Sequence, residues 1–272
     1  MNCLIALKLI DQEVSMNELT RQIAKLLMTP PFNSESRALL YLRGKREDLI
    51  VDALIASLQN SQNPDSIKKE IPLEKNQIDS WNESLASRGY FTGNSGLKSK
   101  KQKGRVDLAC FDSNSKPTML IEVKAWSATD AVDESRYTDA KKYNHSLLKS
   151  FEIDALKLLA IGANSNSNLV IVTALFTVHC DGLTVNQMKQ RKLEYVPLLR
   201  KQNRDKAEIG DSDAYRVAAV KNLTNQLELN FGSRTPFNAK ITHGSVFGRD
   251  DASIDGVGLS LDLVFAQFKS IV

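Results

Sequence analysis

Three charged residues stand out by type and position: Asp107 in the run RVDLACFD, and Glu122 and Lys124 in TMLIEVKAW. Both runs are β-prone and the turn-like SNSKP lies between them, so together they read as a hairpin. Strand side chains alternate between faces, so Glu122 and Lys124 project together while Ile121 and Val123 enter the opposite face. Two charges inside an otherwise apolar strand are costly unless they are paired or bind a metal. Asp107, on the preceding strand, can come close to Glu122. Two carboxylates converging beside an ammonium suit a hard divalent cation and a phosphate. Oxygen ligands favour Mg²⁺, which keeps some waters and takes only one or two protein carboxylates. Lys124 would then hold or activate a water, or neutralise charge building on phosphorus. An amphipathic edge strand with a cross-strand salt bridge has similar letters, and an acid some ten to twenty residues before E-x-K also arises by chance. Context favours the chemical reading: β-prone runs, charges at alternate positions, a basic loop before and a long helix after.

The elements that must position these residues are legible around them. Ser15-x-x-Glu18 has the capping-box pattern, followed by Leu19, Ile23, Leu26 and Leu27 at helical spacing, with Pro30-Pro31 as a stop. A second helix is expected from about Gly44 to Leu58, with Leu49, Ile50, Ala53, Leu54 and Leu58 as its apolar stripe and Glu47, Asp48 and Asp52 near its start. NSQNPDS at 60–66 is a loop by composition, and a third helix is expected from Gln77 to Arg88 with Gly89 as its stop. After the hairpin a long helical pattern runs from about Val132 to Ile161. NLVIVTALFTVH then reads as a strand covered on both faces. Helices are expected near 185–195 and 213–229. In the last run Val257, Leu259, Leu261, Leu263 and Phe265 share one face of a strand. The architecture implied is α/β, a mixed sheet flanked by helices.

Asp107 and the triplet Glu122-Val123-Lys124, in the order acidic helix, strand, strand with E-x-K, helix, apolar strand, resemble the PD-(D/E)XK nuclease superfamily. That fold is shared by type II restriction endonucleases and many repair and recombination nucleases. The similarity covers roughly residues 44–180, and the topology around the short motif carries more of it than the letters. The resemblance implies a restriction-endonuclease-like mixed β-sheet core flanked by α-helices. In this single domain over 1–272, N-terminal helices would occupy 1–43 and a C-terminal elaboration 181–272. It implies that Asp107, Glu122 and the carbonyl of Val123 bind Mg²⁺ and that Lys124 serves the attacking water. Glu47, in KREDLIVDAL, best matches the further acid such proteins often supply from the preceding helix, with Asp48 and Asp52 as rivals. The proline often found before the aspartate is Val106 here. The helix after the lysine reads Asp139-Ala140-Lys141-Lys142-Tyr143 where some relatives have Gln-x-x-x-Tyr. The function implied is Mg²⁺-dependent hydrolysis of phosphodiester bonds in double-stranded DNA, leaving 5′-phosphates. By size this resembles a sequence-specific type II restriction enzyme acting as a homodimer. The alternatives are a structure-specific repair or recombination nuclease, a non-cutting nucleic-acid-binding module on the same fold, and an unrelated α/β protein that carries D…E-x-K by chance.

Composition narrows the field. The chain has 272 residues, 42% hydrophobic and 25% charged, which excludes a disordered tail, a fibre or a small disulfide scaffold. Cys3, Cys110 and Cys180 lack zinc-knuckle spacing, and His145, His179 and His243 lack a metalloprotease spacing. Gly93-Asn94-Ser95-Gly96 is neither a nucleophile elbow nor a phosphate-binding loop, so no nucleotide cofactor is expected. Asp250, Asp251 and Asp255 read as a hairpin turn. The longest apolar stretch is about half a membrane span and no leader pattern opens the chain, so a cytoplasmic protein without a membrane partner is expected. Net charge is only +4, yet KSKKQKGR places Lys98, Lys100, Lys101, Lys103 and Arg105 together before Asp107. A solvated loop is the plain explanation. Beside a metal site the same loop would grip a phosphodiester backbone. RKLEYVPLLRKQNR, between Arg191 and Arg204, is a second basic run that would contact DNA or lie at the surface.

Overall fold

The computed structural model describes residues 13–29, 33–37, 46–59, 66–90, 104–132, 147–162, 167–179, 186, 211–233, 236–254 and 256–269. It is a mixed α/β structure built on one seven-stranded sheet with helices on both faces. In chain order the elements are α1 (Glu13–Met28), α2 (Arg46–Gln59), β1 (Ile67–Pro72), α3 (Lys75–Ser87), β2 (Arg105–Phe111), β3 (Pro117–Ser127), α4 (Ala128–Val132), α5 (Leu147–Gly162) and β4 (Asn168–His179). There follow α6 (Ser212–Leu227), which runs on into a π-helical turn at Glu228–Gly232, then β5 (Lys240–Phe247), β6 (Ser253–Ile254) and β7 (Val257–Lys269).

The strand order is β1-β2-β3-β4-β7-β5, with β6 paired to β7. β1, β2 and β3 form an antiparallel meander, the crossover through α4 and α5 makes β4 parallel to β3, and β7 returns antiparallel to β4. One face carries Ile121, Val123, the even-numbered residues 170–178 of β4 and Val257, Leu259, Leu261, Leu263 and Phe265 of β7, packed under α1 and α2. The other carries Leu120, Leu169, Ile171, Leu175, Val264, Ala266 and Phe268 under α3, α5 and α6. The central strands are thus apolar on both sides, which is why β4 reads as an unbroken hydrophobic run.

Most of the expected elements form, with instructive differences. α1 already begins at Glu13, so Ser15 lies inside the helix and is not its N-cap. The capping arrangement occurs instead at α3, where the Gln77 side chain accepts from the Glu74 amide at 2.9 Å. Gly89 does end α3: at φ 79° its amide donates to the Ala86 carbonyl while the Tyr90 amide donates to that of Leu85, a paired C-terminal closure. Of the expected helix from Val132 to Ile161, α4 includes Val132 and α5 covers 147–161, and 133–146 lie outside the described residues. Of the expected helix near 185–195 only residue 186 is described. β1 and β5 carry no sequence expectation, because IKKEIP and KITHGSVF interrupt their apolar residues with polar or charged ones. They lie at the two edges of the sheet. The segment beyond residue 180 is no mere appendage: it supplies three strands of the same sheet and much of both cores.

Candidate active site

Strand pairing lapses at Asp107, with the β1–β2 register unchanged on either side of it. β1 pairs Lys69 with Leu108 and Ile71 with Val106, so Glu70 comes opposite Asp107. Glu70 has φ 53°, a left-handed conformation in mid-strand that bulky residues adopt only at a cost of roughly 1–3 kcal/mol. On the other side, the β2–β3 ladder ends at Leu108↔Ile121. Alternation fails here too: Leu108 packs in the core under α1 and α2, whereas Val106 packs on the opposite face with Trp81. Asp107 is left between the faces, and its Oδ2 accepts from the Val123 amide at 2.8 Å. Irregularities of this kind re-aim side chains beside functional sites.

Beyond Ile121, the edge of β3 toward β2 therefore meets carboxylates rather than a strand. The Val123 amide donates to Asp107, and the Ala125 amide donates to Glu47 Oε1 at 3.3 Å. Glu47 is delivered by the first turn of α2, whose buried Ile50, Ala53, Leu54 and Leu58 dock against the sheet. The rival acids face elsewhere: Asp52 pairs with Lys69 of β1 at 2.9 Å, and Asp48 adds to the charge around that same lysine. The amide and carbonyl of a strand residue leave on the same edge. The Val123 carbonyl thus leaves beside Asp107.

Glu122 and Lys124 project together, as the alternation requires, toward α5. That helix contributes two residues the sequence reading missed, Asp154 and Lys157. Lys157 Nζ lies 2.7 Å from Glu122 Oε1 and 3.3 Å from Asp154 Oδ1, and Asp154 Oδ2 lies 2.9 Å from Lys124 Nζ. The four charges alternate in sign along one line from Lys124 to Glu122. Their signal in the sequence is faint: with Glu152 they are three charges inside the otherwise apolar FEIDALKLLAIG, a helix that faces the sheet.

Electrostatics follow from burial. Glu122 is 1% exposed, and loss of water pushes its carboxyl up to about 8. The attraction of Lys157 opposes that rise, while the negative charges of Asp154 and Asp107 add to it. Burial alone would lower the lysines. For Lys124 the charges of Asp154, Glu122 and Glu47 outweigh it, and for Lys157 those of Glu122 and Asp154 do, so both ammonium groups are held protonated. In all, four carboxylates (Glu47, Asp107, Glu122, Asp154) face two ammonium groups, a surplus of negative charge.

Among the described residues no three His, Cys, Asp or Glu side chains gather into a preformed metal cage. The donor chemistry nevertheless fits Mg²⁺, which asks for only one or two carboxylates and completes its shell with carbonyls and water. Asp107, Glu122 and the Val123 carbonyl are of that kind, and the surplus negative charge favours a cation. Arg105 of the basic loop pairs with Glu70 at 2.6 Å. Lys98, Lys100, Lys101 and Lys103 lie outside the described residues, as do Lys141, Lys142 and the basic run 191–204. His179 is buried and its Nε2 lies 2.6 Å from Ser260 Oγ. Asp250 and Asp251 fall in the short helical turn between β5 and β6. No described helix is long and apolar enough to cross a membrane. No family model matches the chain, and neither the curated proteins nor the solved structures hold a match to it.

Proposed function

We propose that the chain is a Mg²⁺-dependent DNA endonuclease of the PD-(D/E)XK kind. The observation that carries this is the lapse of strand pairing at Asp107, whose Oδ2 accepts from the Val123 amide, between Glu122 and Lys124 on the same strand. The path α2, β1, β2, β3, α5, β4 supports it, since the motif occupies the end of an antiparallel meander followed by a helical crossover and a parallel strand. So does Glu47, the helix-borne acid that reaches β3. The fold intended is restriction-endonuclease-like, and a sequence-specific homodimer acting on duplex DNA in the cytoplasm is the form we favour.

Bound at Asp107, Glu122 and the Val123 carbonyl, Mg²⁺ would polarise the phosphate and lower the pKa of a coordinated water. The chain's own residues do the rest. Because Asp154, Glu122 and Glu47 keep Lys124 protonated, it acts as a donor and positive charge rather than as a base. It can hold the attacking water by a hydrogen bond and stabilise the charge that builds on the phosphoryl oxygens. Glu47, exposed beside it, is the available carboxylate for the proton that the water releases. Arg105 and the lysines of 98–103 would bind the flanking phosphates.

Supercoiled plasmid incubated with the purified chain is expected to be cut with Mg²⁺ and left intact with EDTA. Lys124→Ala and Asp107→Asn, purified identically, should each lower the rate by about 10²–10³-fold. Discrete fragments mean sequence-specific cleavage; nicking or a smear means a nonspecific or structure-directed enzyme. Inactivity on plasmid, genomic and branched DNA alike would move the assignment to a non-cutting binder.

A further inference from the structure

Lys157 is the best-satisfied charge in the site and belongs to no part of the motif. An ammonium has three hydrogens to give. Here one is donated to the Arg105 carbonyl at 3.0 Å, while Glu122 Oε1 at 2.7 Å and Asp154 Oδ1 at 3.3 Å are ion-pair contacts. The Trp81 ring lies 5.8 Å from the nitrogen, and Trp81 is itself fixed by donating Nε1–H to the Ile153 carbonyl at 3.1 Å. The Lys157 side chain is 9% exposed. A charge so enclosed is not a mobile counter-ion that swings aside, since leaving would give up these contacts and leave the buried Glu122 without its ion-pair partner.

Lys157 thus stands against Oε1 of Glu122, so an incoming cation using that oxygen would have to share it with an ammonium. Two-metal sites place their ions about 3.5–4 Å apart, bridged by a shared carboxylate or phosphate oxygen. An ammonium 2.7 Å from Glu122 already stands where a second ion would have to share that carboxylate. We propose that Lys157 is a built-in cation of the site, a positioning residue that grips one oxygen of Glu122 from α5 and restricts the site to a single divalent ion. This deepens the nuclease reading and rests on its metal ligands, although it concerns binding rather than cleavage.

The test counts ions directly. Mn²⁺, chosen because the free ion has a paramagnetic resonance signal, is titrated into the full chain and the bound fraction is read at equilibrium. The expected result is one Mn²⁺ per chain, displaced by excess Mg²⁺ and lost in Asp107→Asn. Lys157→Arg should keep the count at one, because it keeps the charge. Lys157→Met has similar length and no charge and should take up a second ion. Two Asp107-dependent ions in the wild-type chain would overturn the assignment even if Lys157→Met failed to fold. So would a folded Lys157→Met that binds one ion with affinity unchanged within twofold. A wild-type chain that binds one ion and cuts no DNA keeps Lys157 in this role and removes the nuclease reading. A wild-type chain that binds none removes both.

Discussion

Glu122 is the residue on which the site's energetics turn. Folding takes its carboxyl from the ordinary value of 4.5 up to about 8, chiefly by burial, with Lys157 opposing and Asp154 and Asp107 reinforcing the shift. The folded state thus binds a proton more readily than the unfolded chain. A raised carboxyl pKa means that the stability associated with the group is complete below about pH 4.5 and is lost as pH rises through about 8. In EDTA, urea-unfolding midpoints are expected to fall between pH 5 and 8.5. Glu122→Gln, which cannot ionise, should flatten that decline. An equal slope in the variant would place the pH-sensitivity elsewhere. Asp154 has a different part, because its two oxygens join Lys124 and Lys157. Asp154→Asn should lower the cleavage rate about 10–100-fold by loosening Lys124. A kcat that falls while KM holds would separate this from a general loss of folding, since folded fraction and KM can be measured on the same preparation.

At the scale of elements, α2, α5 and α6 are each pinned to the sheet by a polar contact as well as by apolar packing. α6 shows this best: Arg216 grips Asp262 of β7 with two hydrogen bonds of 2.7 Å and also donates to Ser245 of β5. Asp262 is 4% exposed, so Arg216→Leu would strand a buried charge at a cost of about 3–5 kcal/mol. The double variant Arg216→Leu with Asp262→Leu should recover most of that loss in chemical denaturation. If it does not, the pair holds more than its own charges together. How much of such architecture the sequence discloses depends on where an element lies. β4 and β7 announce themselves because both faces, or one alternating face, must be apolar in the middle of a sheet. β1 and β5 do not, for edge strands keep charged side chains that discourage further pairing. The chemical residues divide likewise. Asp107, Glu122 and Lys124 were legible because charge in a β-prone run is anomalous. Asp154 and Lys157 were not, since a charged residue in a helix is read as solvent-facing until the sheet is seen to lie under it. Glu47 could be separated from Asp48 and Asp52 only once α2 was docked beside β3.

For the molecule as a whole, the decisive feature is that the strands carrying the site are completed by the far end of the chain. β7 pairs with β4 continuously from Asn168↔Lys269 to His179↔Gly258. Val257, Leu259, Leu261, Leu263 and Phe265 enter one core, and Val264, Ala266 and Phe268 the other. Each large buried apolar side chain contributes about 1.5–3 kcal/mol. Losing the set would cost about as much as, or more than, the roughly 5–15 kcal/mol by which a domain of this kind is stable. It would also leave the backbone of β4 as a long, apolar, unpaired edge, the kind that recruits other chains. A chain ending at residue 180 keeps every residue of the D…E-x-K motif together with Glu47, Asp154 and Lys157. It is nevertheless expected to lack a cooperative unfolding transition and near-ultraviolet circular dichroism, and to aggregate. By contrast, Lys124→Ala in the full chain should unfold cooperatively while being inactive. If the truncated chain instead folds as a monomer and binds Mn²⁺, then β4 does not depend on β7 and the first four strands are a core in their own right. The expected outcome makes the C-terminal strands part of the scaffold of the candidate site, because the position of Glu122 depends on β3 lying flat against β4, and β4 is held in place by β7.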